Sequence, residues 1–240
     1  MIDASGQRDL NGNPTGGFEV GREGTIRMES PTLRIRLFGE LDLRFDETSL
    51  PPLESARAAS LLAYLLLHRE APQPRRRLAF LLWPDSTESQ ARTNLRHVLH
   101  NLRRALPEAD RFLDVTPRTL QWRTDAPFWL DVAAFEESLW QAEREAADGG
   151  LAALREVVEL YTGDLLEGSY DEWLFEERER LRQRYLHVLE RLAALLEERG
   201  DHARAIPFAE RLLRHDPLRE ETYRLLMRLH DARGDRARAL

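Results

Sequence analysis

Apolar residues in the first half of the chain change from an alternating to a helical spacing. Leu33, Ile35 and Leu37 alternate with polar residues, as do the apolar positions of residues 41–45 beyond Gly39, and this period of two predicts a pair of half-buried strands. Apolar stripes at helical spacing predict helices over residues 55–68, 75–82 and 86–106. Two short runs, 112–116 and 119–123, predict a hairpin after the third helix.

The boundaries of these helices follow from local signals. Trp83-Pro84 ends the second helix, because proline disfavours helical geometry in the residue before it. Asp85 and Glu88 have the spacing of a capping box, so the third helix is predicted to begin after Asp85. The predicted inward positions are Leu78, Leu81 and Leu82 in the second helix and Ala91, Leu95, Val98, Leu102 and Ala105 in the third.

Beyond residue 126 the pattern is one helix after another, interrupted by glycines. Arg199-Gly200-Asp201 recurs as Arg233-Gly234-Asp235, and this offset of 34 residues is the period of tetratricopeptide repeats. Because the chain stops inside the second helix of a repeat, we expect exposed side chains at Tyr223, Leu226 and Leu229 and further sequence after residue 240. The predicted fold is mainly α with a small β part: a winged helix-turn-helix domain followed by a tetratricopeptide-like α-helical repeat domain.

Net charge divides the chain into three segments. Residues 1–30 are rich in Gly, Asn and acidic residues and have no apolar period, so a disordered tail is predicted. Residues 31–125 carry 15 arginines against 12 acidic residues, a net charge of +3, whereas residues 126–240 carry a net charge of -8. We therefore predict a DNA-binding domain over 31–125 and a helical, protein-binding domain over 126–240, each with its own partners.

Composition excludes several classes of function. The chain has no cysteine, so disulfide scaffolds and thiolate metal sites are excluded. No apolar run approaches the roughly 20 residues of a membrane span, and the start lacks the order of a secretory signal, so a cytoplasmic protein without membrane contact is expected. His97 and His100 lie one helical turn apart, but zinc needs three or four ligands and no third one is spaced to match on this helix. Neither a phosphate-cradling glycine loop nor a nucleophile elbow is found, so the sequence predicts no metal, cofactor or enzymatic activity.

The third helix carries the candidate DNA contacts. The outward side chains between its first turn and its end include no acidic residue, and all basic residues of the chain are arginines, which can fork to guanine or phosphate. Asparagine can pair with adenine in the same groove. The alternative is a solvated helix face, but elsewhere in this chain such faces mix Glu and Arg freely. The outward residues are Arg92, Thr93, Asn94, Arg96, His97, His100, Asn101, Arg103 and Arg104.

Two smaller basic groups flank this helix. Arg75, Arg76 and Arg77 open the second helix, where a helix that contacts the DNA backbone would lie. Arg118 and Arg123 lie on the predicted hairpin, which could follow an adjacent groove as a wing. A charge run of this kind can also be plain solvated surface, and acidic residues flank the two hairpin arginines.

Five runs of sequence and one tryptophan form a specific set: residues 81–86, 90–96, 102–106, 128–135 and 161–166, together with Trp173. This set resembles the AfsR/DnrI/RedD-like (SARP) transcriptional activators. The resemblance covers residue 33 to the end, and it implies an OmpR-like winged helix whose third helix enters the major groove. It also implies a bacterial transcriptional activator domain that dimerises and contacts RNA polymerase or other transcription machinery. Residues 116–119, Thr-Pro-Arg-Thr, depart from the glycine and tyrosine often found near the tip of the family's wing.

These observations predict a sequence-specific transcription activator that binds double-stranded DNA and is not an enzyme. A homodimer formed through the helical domain is a further hypothesis. The rival hypotheses are a protein-interaction adaptor and the regulatory N-terminal part of a larger signalling protein, neither with DNA binding of its own. The basic third helix argues against the adaptor, and the second rival stays open.

Overall fold

A computed structural model describes residues 33–144 and 150–235. The predicted tail, residues 1–30, lies outside the described residues, as do the last five positions. The mainly α fold with a small β part is confirmed. The strands are β1 (Leu33–Arg36), β2 (Asp42–Phe45), β3 (Thr48–Ser49), β4 (Gln73–Pro74), β5 (Leu113–Val115), β6 (Thr119–Trp122) and β7 (Phe128–Leu130). The helices are α1 (Ala56–Leu67), α2 (Arg75–Leu82), α3 (Glu88–Ala105), α4 (Ala109–Phe112), α5 (Asp131–Arg144), α6 (Gly150–Leu160), α7 (Glu172–Glu198), α8 (His202–His215) and α9 (Glu220–Ala232).

The first sheet has the strand order β3-β2-β1-β7. Strands β1 and β2 are antiparallel, with Ile35 opposite Leu43, as their alternating pattern predicts. Strand β7 pairs with β1 in parallel, Ile35 lying opposite Leu130, and was not predicted. Its three residues are too short to show a period, and its partner lies more than 90 residues earlier in the chain.

Helices α1, α2 and α3 follow the predicted helices closely. Ser55 caps α1, its hydroxyl accepting a hydrogen bond from the Ala58 N–H at 3.2 Å. The capping box at Asp85 is wrong: a turn closed by the Ser86 N–H on the Trp83 carbonyl places Asp85 outside the helix. Thr87 caps α3 instead, accepting from the Gln90 N–H at 3.3 Å. Two predicted core positions, Leu81 and Ala105, are only partly buried, and Leu99 is a buried residue that the analysis missed.

The predicted hairpin consists of β5 and β6, with Leu113 opposite Trp122. Its turn needs no glycine, because the Thr116 hydroxyl accepts hydrogen bonds from the backbone N–H groups of Arg118 and Thr119 at 3.2 and 2.9 Å. Strand β4 pairs with the other edge of β6, Gln73 lying opposite Leu120. This short pairing holds the first residue of α2 against the tip of the hairpin.

The helical part repeats its turn geometry as its sequence repeat predicts. Gly200 and Gly234 both have positive φ, 72° and 76°, at the ends of α7 and α9. After each glycine the next N–H reaches back to a helix carbonyl, Asp201 to Leu196 at 2.8 Å and Asp235 to His230 at 3.0 Å. The two copies of the Arg-Gly-Asp sequence therefore end their helices in the same way.

The apolar face of α9 is less open than predicted. Tyr223 is 48% exposed and Leu226 is partly buried, but Leu229 is fully buried. The prediction for Leu229 is wrong because that side chain packs with Leu196 and residues of α8 in a small core of its own. Helix α9 is therefore covered on the side that faces α8 and open at Tyr223.

A buried contact joins the sheet to the helical part. Phe38, two residues after the end of β1, lies with its ring centroid 5.2 Å from that of Phe135 and 4.9 Å from that of Tyr161. The Asp131 carboxylate accepts hydrogen bonds from the backbone N–H groups of Leu37 and Phe38 at 2.8 and 2.9 Å. Burial raises the pKa of Asp131, although these N–H groups oppose the shift. One apolar core runs through both parts, and the domain boundary at residues 125 and 126 stays a prediction.

Two half-buried histidines are expected to make the stability of the fold depend on pH. Burial lowers the pKa of His68, which stacks on Tyr64 at 4.1 Å, and of His215, which lies edge-on to Tyr185. The folded state therefore favours the neutral rings, and as pH falls through about 6.5 the unfolded chain takes up protons first. We therefore expect the melting temperature to decrease as the pH is lowered from about 7.5 to about 5.5.

The double variant His68→Gln/His215→Gln tests this expectation in thermal unfolding monitored by circular dichroism. Its melting temperature should vary less with pH than that of the wild type. His187→Gln is the control, because the His187 side chain is 76% exposed. A pH dependence unchanged in the double variant would contradict the expectation.

Candidate nucleic-acid interface

Helix α3 turns one polar face away from the core. Its buried side chains are Ala91, Leu95, Val98, Leu99 and Leu102, which recur at helical spacing. The predicted contact residues lie on the remaining surface. Exposed are Arg92, Thr93, Arg96, His97, His100, Arg103 and Arg104, while Asn94 and Asn101 are partly buried.

A cleft of about 870 Å³ lies between the start of α2, the first half of α3 and the tip of the β5–β6 hairpin. The Arg75 N–H donates to the Arg118 carbonyl at 2.9 Å, which fixes the start of α2 beside the hairpin. Three separate elements therefore contribute cations to one concave surface. The arginines that line it are Arg75, Arg76, Arg92, Arg96 and Arg118.

A second cleft, of about 450 Å³, continues along α3 toward its C-terminal end. Arg75 and Arg96 line this cleft as well as the first, so the two share a wall. His100, Arg103 and Arg104 extend it. We call the two clefts with their shared wall the arginine surface.

The charges of the arginine surface are compensated unevenly. Glu88 pairs with Arg76 and Arg92, and Asp110 pairs with Arg103 at 2.5 Å. Within residues 33–144 and 150–235, no ion pair neutralises Arg75, Arg96 or Arg118. Burial lowers the pKa of Arg75, and the positive charge of Arg96 lowers it further. Two guanidinium groups that repel each other would be stabilised by an anion placed between them.

Two predicted contact residues lie elsewhere. Arg77 lines a different groove, of about 710 Å³, beside Phe80 and Tyr170, because successive residues of a helix point about 100° apart. Arg123 lines a shallow depression with Asp110 and Asp125. Their roles in DNA contact, like those of the residues on the arginine surface, stay predictions.

Glu88 also lines the first cleft and was not predicted as part of the site. Its carboxylate lies at the first position of α3 and was considered only as part of a capping box. A signal was available, since Glu88 precedes Arg92 by four residues, a spacing at which side chains on a helix meet.

Comparison with known proteins agrees with this architecture. Residues 130–240 match the family model of the bacterial transcriptional activator domain. The chain is 27% identical over 216 residues to the regulatory protein AfsR of Streptomyces coelicolor, which covers 88% of this chain. The chain is therefore similar to the SARP regulators. The predicted resemblance is thereby confirmed. The alignment spans 22% of AfsR, so most of that relative has no counterpart in this sequence.

A solved structure shares the fold of this SARP-like chain. The structure of Mycobacterium tuberculosis EmbR, in complex with a low affinity phosphopeptide, matches with a TM-score of 0.71 and 21% identity. The match covers 87% of this chain and 57% of the EmbR chain. The predicted winged helix followed by a helical domain is confirmed.

Some residues of the motifs behind the resemblance lie where the two parts of the chain meet. The Trp173 indole N–H donates to the Ser60 hydroxyl at 3.0 Å, which joins α7 to α1. The Tyr161 hydroxyl donates to Asp164 at 2.6 Å, and the Thr162 hydroxyl donates to the Phe38 carbonyl at 2.9 Å. Trp173 and Thr162 therefore join the helical domain to the winged helix.

Among the helices of residues 33–144 and 150–235, we find none that is long and apolar enough to cross a membrane.

Proposed function

We propose that this chain is a transcription regulator that binds double-stranded DNA through the arginine surface. In this proposal α3 lies in the major groove, α2 contacts the backbone with its first turn, and Arg118 brings the hairpin to the duplex. The regulator would activate transcription, act in the cytoplasm and have no enzymatic activity.

One observation carries the proposal. Arg75, Arg96 and Arg118 come from three separate elements and converge on one concave surface, unneutralised by ion pairs among the described residues. An ordinary solvated helix face does not need cations from its neighbours on the same surface. A duplex, which carries one negative charge per about 1.7 Å of axis, fits such a surface.

DNA binding should be strongly salt-dependent. Three to five arginine–phosphate contacts release counterions and give a slope of roughly -3 to -5 in a plot of log K against log salt concentration, at about 0.9 per contact. The net charge of -8 on residues 126–240 should not abolish binding, because screening acts over about 8 Å at physiological salt. Fluorescence anisotropy with a labelled random duplex measures the slope, and absence of binding at low salt would refute the proposed function.

Selection from random duplex DNA by gel shift then separates this function from the two rivals. A recovered consensus supports a sequence-specific regulator. Binding without any consensus argues against sequence reading. No binding favours the adaptor or the regulatory part of a larger signalling protein.

We propose that the helical part supplies the protein contacts. The acidic net charge of residues 126–240 repels phosphate, and stacked helix pairs build concave surfaces for protein partners. RNA polymerase or other transcription machinery is the proposed partner, and a second copy of the chain is the other. Light scattering on the whole chain, and co-purification with RNA polymerase, test these two partners separately.

A further inference from the structure

Glu88 contributes a carboxylate to a cleft that five arginines also line. A single oxygen, Oε1, lies 2.9 Å from the Arg92 Nη2 and 3.4 Å from the Arg76 Nε. Arg76 belongs to α2 and Arg92 to α3, so one oxygen bridges the two helices. Glu88 lines the same cleft as Arg75, Arg96 and Arg118.

The position of this oxygen resembles that of a phosphate oxygen in a complex. Guanidinium groups bind carboxylates and phosphates through the same N–H donors, so the two anions compete for them. A phosphate that binds Arg76 or Arg92 must displace Glu88 from that arginine. Because both arginines are more than half exposed, the ion pairs are weak enough to exchange.

We infer that Glu88 is an internal competitor of DNA phosphate, holding Arg76 and Arg92 until the duplex replaces it. The inference rests on the proposed function of the arginine surface. In this role Glu88 lowers the affinity for every duplex to the same extent, since phosphates are the same in all sequences. Weak binding to non-specific DNA follows, and the base contacts of α3 must supply the rest of the affinity.

Glu88 also has a structural role that must be separated from this one. A carboxylate in the first turn of a helix interacts favourably with the helix dipole, and the pair with Arg92 stabilises α3. Both effects concern the stability of the folded chain. They predict that loss of the charge leaves DNA affinity unchanged or lowers it, whereas competition predicts a gain.

The test is Glu88→Gln, which keeps the shape of the side chain and removes its charge. We expect affinity for a random duplex and for a selected site to rise alike, by about 2- to 30-fold, the equivalent of two exposed ion pairs that no longer need to be broken. Asp85→Asn is the matched control: it makes the same change of charge three residues away, on a carboxylate that lines the other groove. It should leave affinity nearly unchanged.

A double-mutant cycle separates competition from a general charge effect. In the background Arg76→Ala/Arg92→Ala, the gain from Glu88→Gln should become smaller, because no arginine is left for the carboxylate to hold and only its repulsion of the phosphates remains. An equal gain in both backgrounds would overturn the inference, and so would no gain, or a loss confined to the selected site. A wild-type chain that binds no duplex at all would instead refute the proposed function itself. Circular dichroism confirms that each variant is folded before its affinity is compared.

Discussion

Replacing Phe38 with alanine is expected to lower the free energy of unfolding by about 3–5 kcal/mol, the usual cost of removing a buried aromatic ring. Phe38 is 2% exposed, and its ring contacts Phe135 and Tyr161 from the helical part. Truncation leaves a cavity that rigid neighbours cannot fill, since the backbone on either side of Phe38 is fixed by Asp131 and Thr162. Denaturant unfolding followed by circular dichroism measures the loss.

The control for this prediction is Phe80→Ala. The Phe80 side chain is 39% exposed, so its truncation removes less buried area and should cost far less. Equal losses in the two variants would show that the contact of Phe38 with the helical part contributes little to stability. The shape of the transition gives a second result. Two separate transitions in the wild type would mean that the predicted domains unfold independently despite their shared core.

The contact around Phe38 also bears on the predicted domain boundary. Alternation in residues 33–37 predicts β1, but it says nothing about which element covers the residue that follows. The cover comes from Phe135 of α5 and from Tyr161, both about 100 residues or more further along the chain. A fragment of residues 126–240 would lack Phe38 and the partner strand of β7. We therefore expect it to be less stable than the same residues in the whole chain.

The sequence predicts the polar face of α3, but it does not predict that residues of α2 and the hairpin join this face in one surface. Periodicity placed Leu95, Val98 and Leu102 in the core, and the polar face of α3 follows from that alone. The convergence of Arg75 and Arg118 depends on β4, a two-residue strand that carries no periodic signal. The separation of Arg76 from Arg77 depends on the exact orientation of α2. Contacts of this kind are set by pairing and packing between distant segments, which a local pattern does not encode.

Substitutions on the arginine surface should divide into two classes, those that change base preference and those that do not. Arg96 lies on the wall shared by the two clefts, and Asn101 lies partly buried on α3. Arg96→Ala and Asn101→Ala should each lower affinity for a selected site by about 1–3 kcal/mol and relax base preference there. Arg103→Ala and Arg76→Ala should instead weaken binding to all sequences alike, because phosphate contacts carry no sequence information.

Binding of each variant to the selected and to a random duplex, at one salt concentration, measures this division. Arg224→Ala on α9 is the control, an exposed arginine that pairs with Glu220 four residues earlier and lies far along the chain from α3. It should change neither affinity. Replacing Arg76 removes one partner of Glu88, and replacing Arg103 removes the partner of Asp110. The measured loss of DNA affinity in each variant therefore includes repulsion between the phosphates and the carboxylate that has lost its partner. That contribution is also independent of sequence, and the two classes therefore remain distinguishable. Equal losses on both duplexes for all four variants would mean that α3 contacts the duplex without reading its bases.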